Sequence, residues 1–203
     1  MSDITHANIA VQDDLGAEEL EGNYLKYLSF TVDGEIYALS ALDIKEIIEY
    51  TNVTRIPTVP RYIRGVTNLR GSVVPVIDLA ARIGKPSGEI TKRTCIIIVE
   101  LEYGEDHIDL GVVIDAINEV FNILEDDIEP APSLGAGIRS DFIWGMGKLS
   151  GKFVTLLNKD KVLSVEELAA LSETAQFAGY LESKTNVSDS HEAGVDSDLE
   201  SDR

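Results

Sequence analysis

Reactive side chains are scarce in this 203-residue chain: one cysteine, one tryptophan, two methionines and three histidines. A lone cysteine excludes an intrachain disulfide framework and fits a reducing compartment. Cys95 lies inside Cys95-Ile96-Ile97-Ile98-Val99 and reads as a buried, inert thiol. His6, His107 and His191 are widely separated, so no zinc or haem spacing exists and no metal site is expected. No apolar run reaches the ~20 residues needed to span a bilayer. The N-terminus lacks a basic segment leading into an apolar core, so a cytoplasmic location is expected. Positive charge is also short, with 17 Lys and Arg against 36 Asp and Glu and a net charge of −19. Such a surface repels nucleic acid and anionic lipid, so neither nucleic acid nor direct membrane insertion is expected.

The acids concentrate at the ends. Residues 1–23 hold six acids and no Lys or Arg, and residues 172–203 hold eight acids and two bases. Both ends lack regular apolar patterning and read as largely disordered, with a short helical stretch near 173–181. They are either solubilising tails or docking segments. The folded domain is expected over 24–171, closing with a helix capped by Ser164 and Glu167 that runs to Leu171.

What the chain does have is a repeat. Residues 63–78 and 143–158 match without a gap at an offset of 80, with Ile63/Ile143, Gly65/Gly145, Leu69/Leu149, Gly71/Gly151 and Val74/Val154 identical. Upstream, Tyr37-Ala38-Leu39 matches Leu110-Gly111-Val112, and Ile44-Lys45-Glu46-Ile47 matches Ile117-Asn118-Glu119-Val120, both at an offset of 73. Glu46 and Glu119 thus occupy equivalent places. A duplicated β unit predicts two similar small domains side by side.

Within the first copy, residues 24–32 alternate with Leu28, Phe30 and Val32 on one face, and Asp33-Gly34 signals a hairpin back through 35–39. Ser40 with Asp43 predicts a short helix ending near Glu46, followed by extended pieces at 47–50 and 53–56. A hairpin across Arg70-Gly71 joins 65–69 to 72–77. Pro75 cannot donate a ladder hydrogen bond, which predicts an edge strand or a bulge there. A helical turn follows over 78–83, ended by Gly84. The expected fold is mainly β with short helices. Each unit has about five short strands, enough for a small barrel: the first about 38–90 and the second about 93–160, with terminal segments able to cross over. The two would meet along a groove.

Catalytic chemistry is hard to find. Only His107 lies inside the folded part, and no nucleophile–base–orienter set is visible. Gly135-Ala136-Gly137 lacks the Lys-Ser/Thr of a nucleotide loop. Glu125-Asp126-Asp127 lacks the ligand spacing of a calcium loop. Neither an enzyme nor a cofactor is expected. Surface chemistry is more informative. Arg70 is at a hairpin tip where packing needs no arginine, and the second copy has Ser150 there. Its guanidinium is either simply solvated or offered to a carboxylate, Glu46 being one candidate partner. Asn68 reads as a turn-stabilising amide or a surface group. Ile44, Ile47, Leu69 and Val120 are either core residues or the lining of an apolar groove.

The run Ile63-Arg64-Gly65-Val66-Thr67-Asn68-Leu69-Arg70-Gly71-Ser72-Val73-Val74-Pro75-Val76-Ile77-Asp78-Leu79 resembles the hallmark of the CheW family of chemotaxis coupling proteins. Phe30-Thr31-Val32, Tyr37, Ile44-Lys45-Glu46-Ile47 and Val53-Thr54-Arg55-Ile56-Pro57 fit its first half. Gly111-Val112-Val113-Ile114-Asp115 and Ile128-Glu129-Pro130-Ala131-Pro132 fit its second. The resemblance covers about 24–171. It implies two five-stranded SH3-like barrels and a non-catalytic adaptor, recruited to membrane-associated receptor arrays. Such an adaptor bridges the cytoplasmic tip of a methyl-accepting chemoreceptor and the regulatory domain of a CheA-type histidine kinase. By position, the resemblance puts Ile44, Glu46, Leu69, Arg70, Cys95, Gly111 and Val120 near the receptor groove. Arg55, Ile56, Pro57 and Val73 are its kinase-facing candidates.

The chain departs from the family pattern at Ala80, where many members carry arginine, and in its acidic extensions. No receiver, phosphotransfer or ATP-binding domain is seen beside it. Two other functions fit the same module: coupling in another chemosensory pathway, such as surface motility or second-messenger control, and small-molecule sensing in the inter-barrel groove.

Overall fold

A computed structural model of the chain describes residues 22–51, 53–57, 59–103, 106–131 and 138–164. The acidic ends, the Gly135 loop and the helix expected after Ser164 lie outside the described residues. The first repeat folds as β1 (Tyr24–Val32), β2 (Glu35–Ser40), β3 (Ile44–Glu49), β4 (Ile63–Leu69), β5 (Ser72–Asp78) and α1 (Leu79–Arg82). The second gives β6 (Cys95–Tyr103), β7 (Asp106–Ile114), β8 (Ala116–Leu124), β9 (Ile143–Leu149), β10 (Lys152–Leu157) and α2 (Lys159–Val162).

The strands sort into two five-stranded sheets, in the orders β3-β6-β7-β5-β4 and β8-β1-β2-β10-β9. The two orders are the same once β1 is equated with β6, β2 with β7, and so on. Each sheet therefore takes the opening hairpin of one repeat and the last three strands of the other. The contiguous division at 38–90 and 93–160 is accordingly corrected. The first barrel combines 44–78 with 95–114, and the second combines 24–40 with 116–157. In this arrangement β1, β2, β6 and β7 are buried on both faces, with a barrel core on one side and a shared core on the other.

Three packed clusters confirm this division of faces. Val74, Val76, Ile96, Ile98 and Val113 fill the first barrel. Tyr27, Ala38, Phe121, Ile123, Val154 and Leu156 fill the second. Alternate residues of the same strands, among them Leu28, Phe30, Tyr37, Leu39, Ile97, Val99 and Val112, meet in a larger cluster between the sheets. This cluster occupies space where the sequence predicts a groove between the units. Among the described residues, each barrel closes through a bridge after its edge strand: Thr54 pairs with Val66, and Glu129 with Met146. Gly65 makes the first closure possible, because a Cβ there would collide with the Thr54 carbonyl.

The hairpins at the 80-residue offset agree in detail. Arg70 and Gly71 have φ of 51° and 94°, and Ser150 and Gly151 have 50° and 78°, the left-handed pair that a two-residue hairpin turn requires. Asn68 Oδ1 accepts a hydrogen bond from the Gly71 amide at 3.0 Å. The side chains of Asp78 and Asn158 then cap α1 and α2, accepting from the amides of Ala81 and Lys161. Pro75 is on an inner strand rather than an edge. It is tolerated because the parallel pairing of β5 with β7 begins one residue later, at Val76 with Gly111. Another departure concerns Glu46. The helix capped by Ser40 is one 3-10 turn, Ala41–Asp43, and Glu46 belongs to β3. The apolar residues that follow Asp43 pair with β6, and that pairing overrides the local helix signal. The strand register slips between Ile44 and Glu46, a bulge that bends β3 around the barrel.

Candidate functional site

An exposed ion pair is at the tip of the β4–β5 hairpin. Arg70 Nη2 lies 2.9 Å from Glu46 Oε2 on β3. The turn projects Arg70 with a left-handed backbone that arginine adopts at a cost, and packing gives no return for it. The equivalent Ser150 makes the same turn without a charge. β3 is the edge strand of its sheet, so Glu46 and Arg70 form a mixed-charge pair beside an open strand edge.

An apolar rim adjoins that pair. Ile44 and Ile47 of β3, Cys95 at the start of β6, and Ile117 of β8 are half-buried against the cluster between the sheets. Val120, the repeat equivalent of Ile47, is exposed on β8, the edge strand of the other sheet. Leu69 is half-buried against the first barrel's core. The structure thus brings Ile44, Glu46 and Arg70 onto one edge with Cys95 next to it, and sets Val120 on the opposing edge. Gly111 does not reach this surface. It is buried, and a Cβ there would stand 2.9 Å from Ile96 Cγ2 and 3.2 Å from Val76 Cγ2 inside the first barrel. Cys95 is half-buried rather than fully so, and its Sγ donates to the Arg93 carbonyl at 3.2 Å. Burial first, and then the Glu49 carboxylate, push its thiol above the ordinary value of 9.0, which keeps it protonated and unreactive.

Charge at the start of β3, next to Glu46, is internally compensated. Lys45 Nζ contacts Asp109 at 2.9 Å and Glu100 at 3.4 Å, and hydrogen bonding to Asp109 raises its pKa above the ordinary value. Lys159 of the second repeat pairs with Asp43 at 3.0 Å and donates to the Glu100 carbonyl. This network joins the two repeats beside the rim.

A second surface lies on the outside of the first barrel. Thr54, Val66, Thr67, Asn68 and Val73 line a shallow depression of about 390 Å³. Val73 is 44% exposed. Arg55 and Pro57 are exposed and Ile56 half-buried in the segment leading away from Thr54. Of the sequence candidates for this face, Val73 lines the depression, and Arg55 follows Thr54 directly. Thr54 and Val66 escaped sequence reading because their relation depends on the closing bridge. A signal that was available is the aromatic pair on the other barrel. Trp144 and Phe153 are 60% and 56% exposed and occupy the places of Arg64 and Val73 in the repeat. The amine of Lys148 lies over the Phe153 ring at 5.2 Å. Among the described residues, no three His, Cys, Asp or Glu side chains converge as metal ligands, and no helix is long and apolar enough to cross a membrane.

Two crossed barrels offering an apolar rim, an exposed ion pair and a shallow outer depression define a protein-binding module. The CheW-like domain family matches residues 26–167. The chain is similar to the chemotaxis protein CheW of Klebsiella aerogenes, 33% identical over 151 residues that cover 74% of this chain and 89% of that protein. It is 37% identical to CheW of Bacillus subtilis over 144 residues, covering 70% and 88% respectively. The crystal structure of the scaffolding protein TtCheW from Thermoanaerobacter tengcongensis superposes with a TM-score of 0.64 at 32% identity, covering 73% of this chain and 94% of that one. The chain belongs to the CheW family, and it is accordingly a non-catalytic adaptor of chemotaxis signalling.

Proposed function

We propose that this adaptor holds the cytoplasmic tip of a methyl-accepting chemoreceptor at the β3 edge and the regulatory domain of a CheA-type histidine kinase at the outer face of the first barrel. The observation that carries the reading is the exposed Arg70–Glu46 pair beside the half-buried Ile44, Ile47 and Cys95. A helical receptor tip presents apolar ridges flanked by charged side chains. The rim takes the ridge, and the ion pair can exchange partners with the flanking charges. The kinase face rests on Val73 and the adjoining 55–57 segment, which are exposed or half-buried. The two faces use different residues, so that both partners are held at once. Individually weak contacts then gain from effective concentration in an array, which would recruit the adaptor to the membrane-associated receptors.

The decisive experiment is reconstitution of kinase and receptor tip with and without this protein. The expected result is receptor-dependent stimulation of kinase autophosphorylation that requires the adaptor and fails with Arg70→Glu. Stimulation of equal size without the adaptor would remove the reading.

A further inference from the structure

The segment 54–62 carries Arg55, Ile56 and Pro57 between two ties. At one end Thr54 and Val66 exchange backbone hydrogen bonds of 2.8 and 2.9 Å. At the other end the Tyr62 carbonyl accepts from the Asp78 amide at 2.7 Å, and the Tyr62 ring lies under the guanidinium of Arg82, 5.1 Å from its centroid. Arg82 does not belong to this barrel alone. The same guanidinium lies 5.0 Å from the ring centroid of Phe142, and its Nε donates to the Val162 carbonyl at 2.8 Å. Phe142 and Val162 belong to the second repeat and are 1% and 0% exposed. Arg139 covers Phe142 as well, at 4.5 Å, so that ring is held by two guanidinium groups. A guanidinium that lies over two rings and is hydrogen-bonded through Nε is restricted in orientation more than a flexible ammonium would be. The repeat equivalent of Arg82 is Val162 itself, so the duplication supplies no counterpart and the joint is peculiar to one side.

We infer that Arg82 is a positioning residue for the partner-binding segment 54–62: through Tyr62 it anchors that segment to Phe142 and Val162 of the other repeat. The kinase-facing residues then keep a fixed angle to the second barrel although Arg82 touches no partner. This rests on the proposed kinase contact at Arg55–Pro57, while the geometry of the anchor is independent of it.

The test uses the full chain with Arg82→Met, Arg82→Lys and Tyr62→Leu. Hydrogen exchange is followed at the Thr54 and Val66 amides, and affinity is measured for the isolated kinase regulatory domain and for the receptor tip. In Arg82→Met, exchange at those two amides should rise about tenfold through local opening, while amides of β6 and β7 keep their protection. Affinity for the kinase domain should fall about tenfold, with receptor-tip affinity within about twofold of the parent. Arg82→Lys should recover part of the loss, since it keeps the cation but not the planar stack. Tyr62→Leu, which leaves Arg82 in place, should reproduce the Arg82→Met pattern and decides the matter if Arg82→Met does not fold. Unchanged exchange at Thr54 and Val66 in the folded variants would overturn the anchor. Raised exchange with unchanged kinase-domain affinity would overturn the positioning role. If the parent itself fails to bind the kinase domain, the proposed kinase contact falls, and the exchange data still decide whether Arg82 holds the segment.

Discussion

Arg70 and Glu46 meet at 2.9 Å across the edge of the first barrel, with Arg70 81% exposed and Glu46 21%. A pair so open to water contributes only about 0–1 kcal/mol to stability. Its position is therefore explained by what it presents rather than by what it holds together. Arg70→Glu should change unfolding free energy by less than about 1 kcal/mol in urea titration. It should lower affinity for the receptor tip at least about tenfold, a loss of ~1.4 kcal/mol of binding, and receptor-dependent kinase stimulation should fall with it. The exchanged pair Glu46→Arg with Arg70→Glu should stay defective, because a partner reads the direction of the pair and not its existence. Full recovery in the exchanged variant would reduce the pair to a structural link.

Val73 offers a complementary probe on the other face. It is 44% exposed, so Val73→Glu removes little buried area and should leave the fold intact by circular dichroism. Calorimetric titration with the kinase regulatory domain should show affinity lowered about tenfold or more, as expected when a charge enters an apolar contact. Receptor-tip binding should be unaffected.

Gly65 is the closure point of the first barrel. Its φ of 143° and the Thr54 carbonyl beside it leave no room for a side chain. Gly65→Ala should therefore cost on the order of 2–4 kcal/mol, since both backbone strain and a backbone clash must be relieved. Gly71→Ala has open space around it and meets only the strain at φ 94°, so it should cost clearly less. Chemical denaturation of the two variants side by side measures the difference.

Asp78 joins three elements. Its Oδ2 pairs with Arg64 at 2.8 Å with side-chain exposures of 3% and 20%, and its Oδ1 caps α1 at the Ala81 amide. Asp78→Ala leaves the Arg64 charge largely buried without its counter-ion and removes the cap. A loss of about 3–5 kcal/mol is expected in denaturant titration. Asp78→Asn should lose less, because the cap acceptor survives.

Glu35 links acid sensitivity to the second barrel. The Tyr37 hydroxyl donates to it at 2.8 Å and the Lys85 ammonium lies 3.0 Å away. The Tyr37 hydrogen bond first, and then Lys85, hold its carboxyl below the ordinary value of 4.5. A depressed folded-state value contributes stability above the unfolded value, and the contribution is lost as pH falls through the folded one. The difference in stability between the parent and Glu35→Gln should be constant near neutral pH, begin to shrink as pH falls toward the ordinary value of 4.5, and reach its minimum once pH is below the lowered folded-state value. Because Glu35 is 61% exposed, the difference should be small. A difference that grows on acidification would reverse the assignment.

Much of this was legible in the residues, and what was not has a physical reason. The Arg70-Gly71 and Ser150-Gly151 turns declared themselves because only a few residue types accept their backbone angles. The helical turn over 78–83 was legible as well, whereas its cap at Asp78 and the matching cap at Asn158 came only with the structure. Glu46 was misassigned to a helix because Ser40 and Asp43 do form a turn, while the strand that takes over after Asp43 depends on β6, some 50 residues away. Exchange of hairpins between repeats left no local mark, since β1 and β6 would satisfy either sheet equally well by pattern alone. The Arg82 stack was invisible for the same reason. Its partners Tyr62, Phe142 and Val162 come together only after both sheets have formed.

Interlacing the two repeats has a cost in time. When the ribosome has released β1 and β2, their permanent neighbours β8 and β10 are still roughly 80 to 120 residues from being made. The opening hairpin must wait with both apolar faces uncovered, and long-range pairing of this kind folds slowly. Severing the polypeptide between the repeats would leave two fragments with no finished barrel in either, each able to recover its shape only by finding the other.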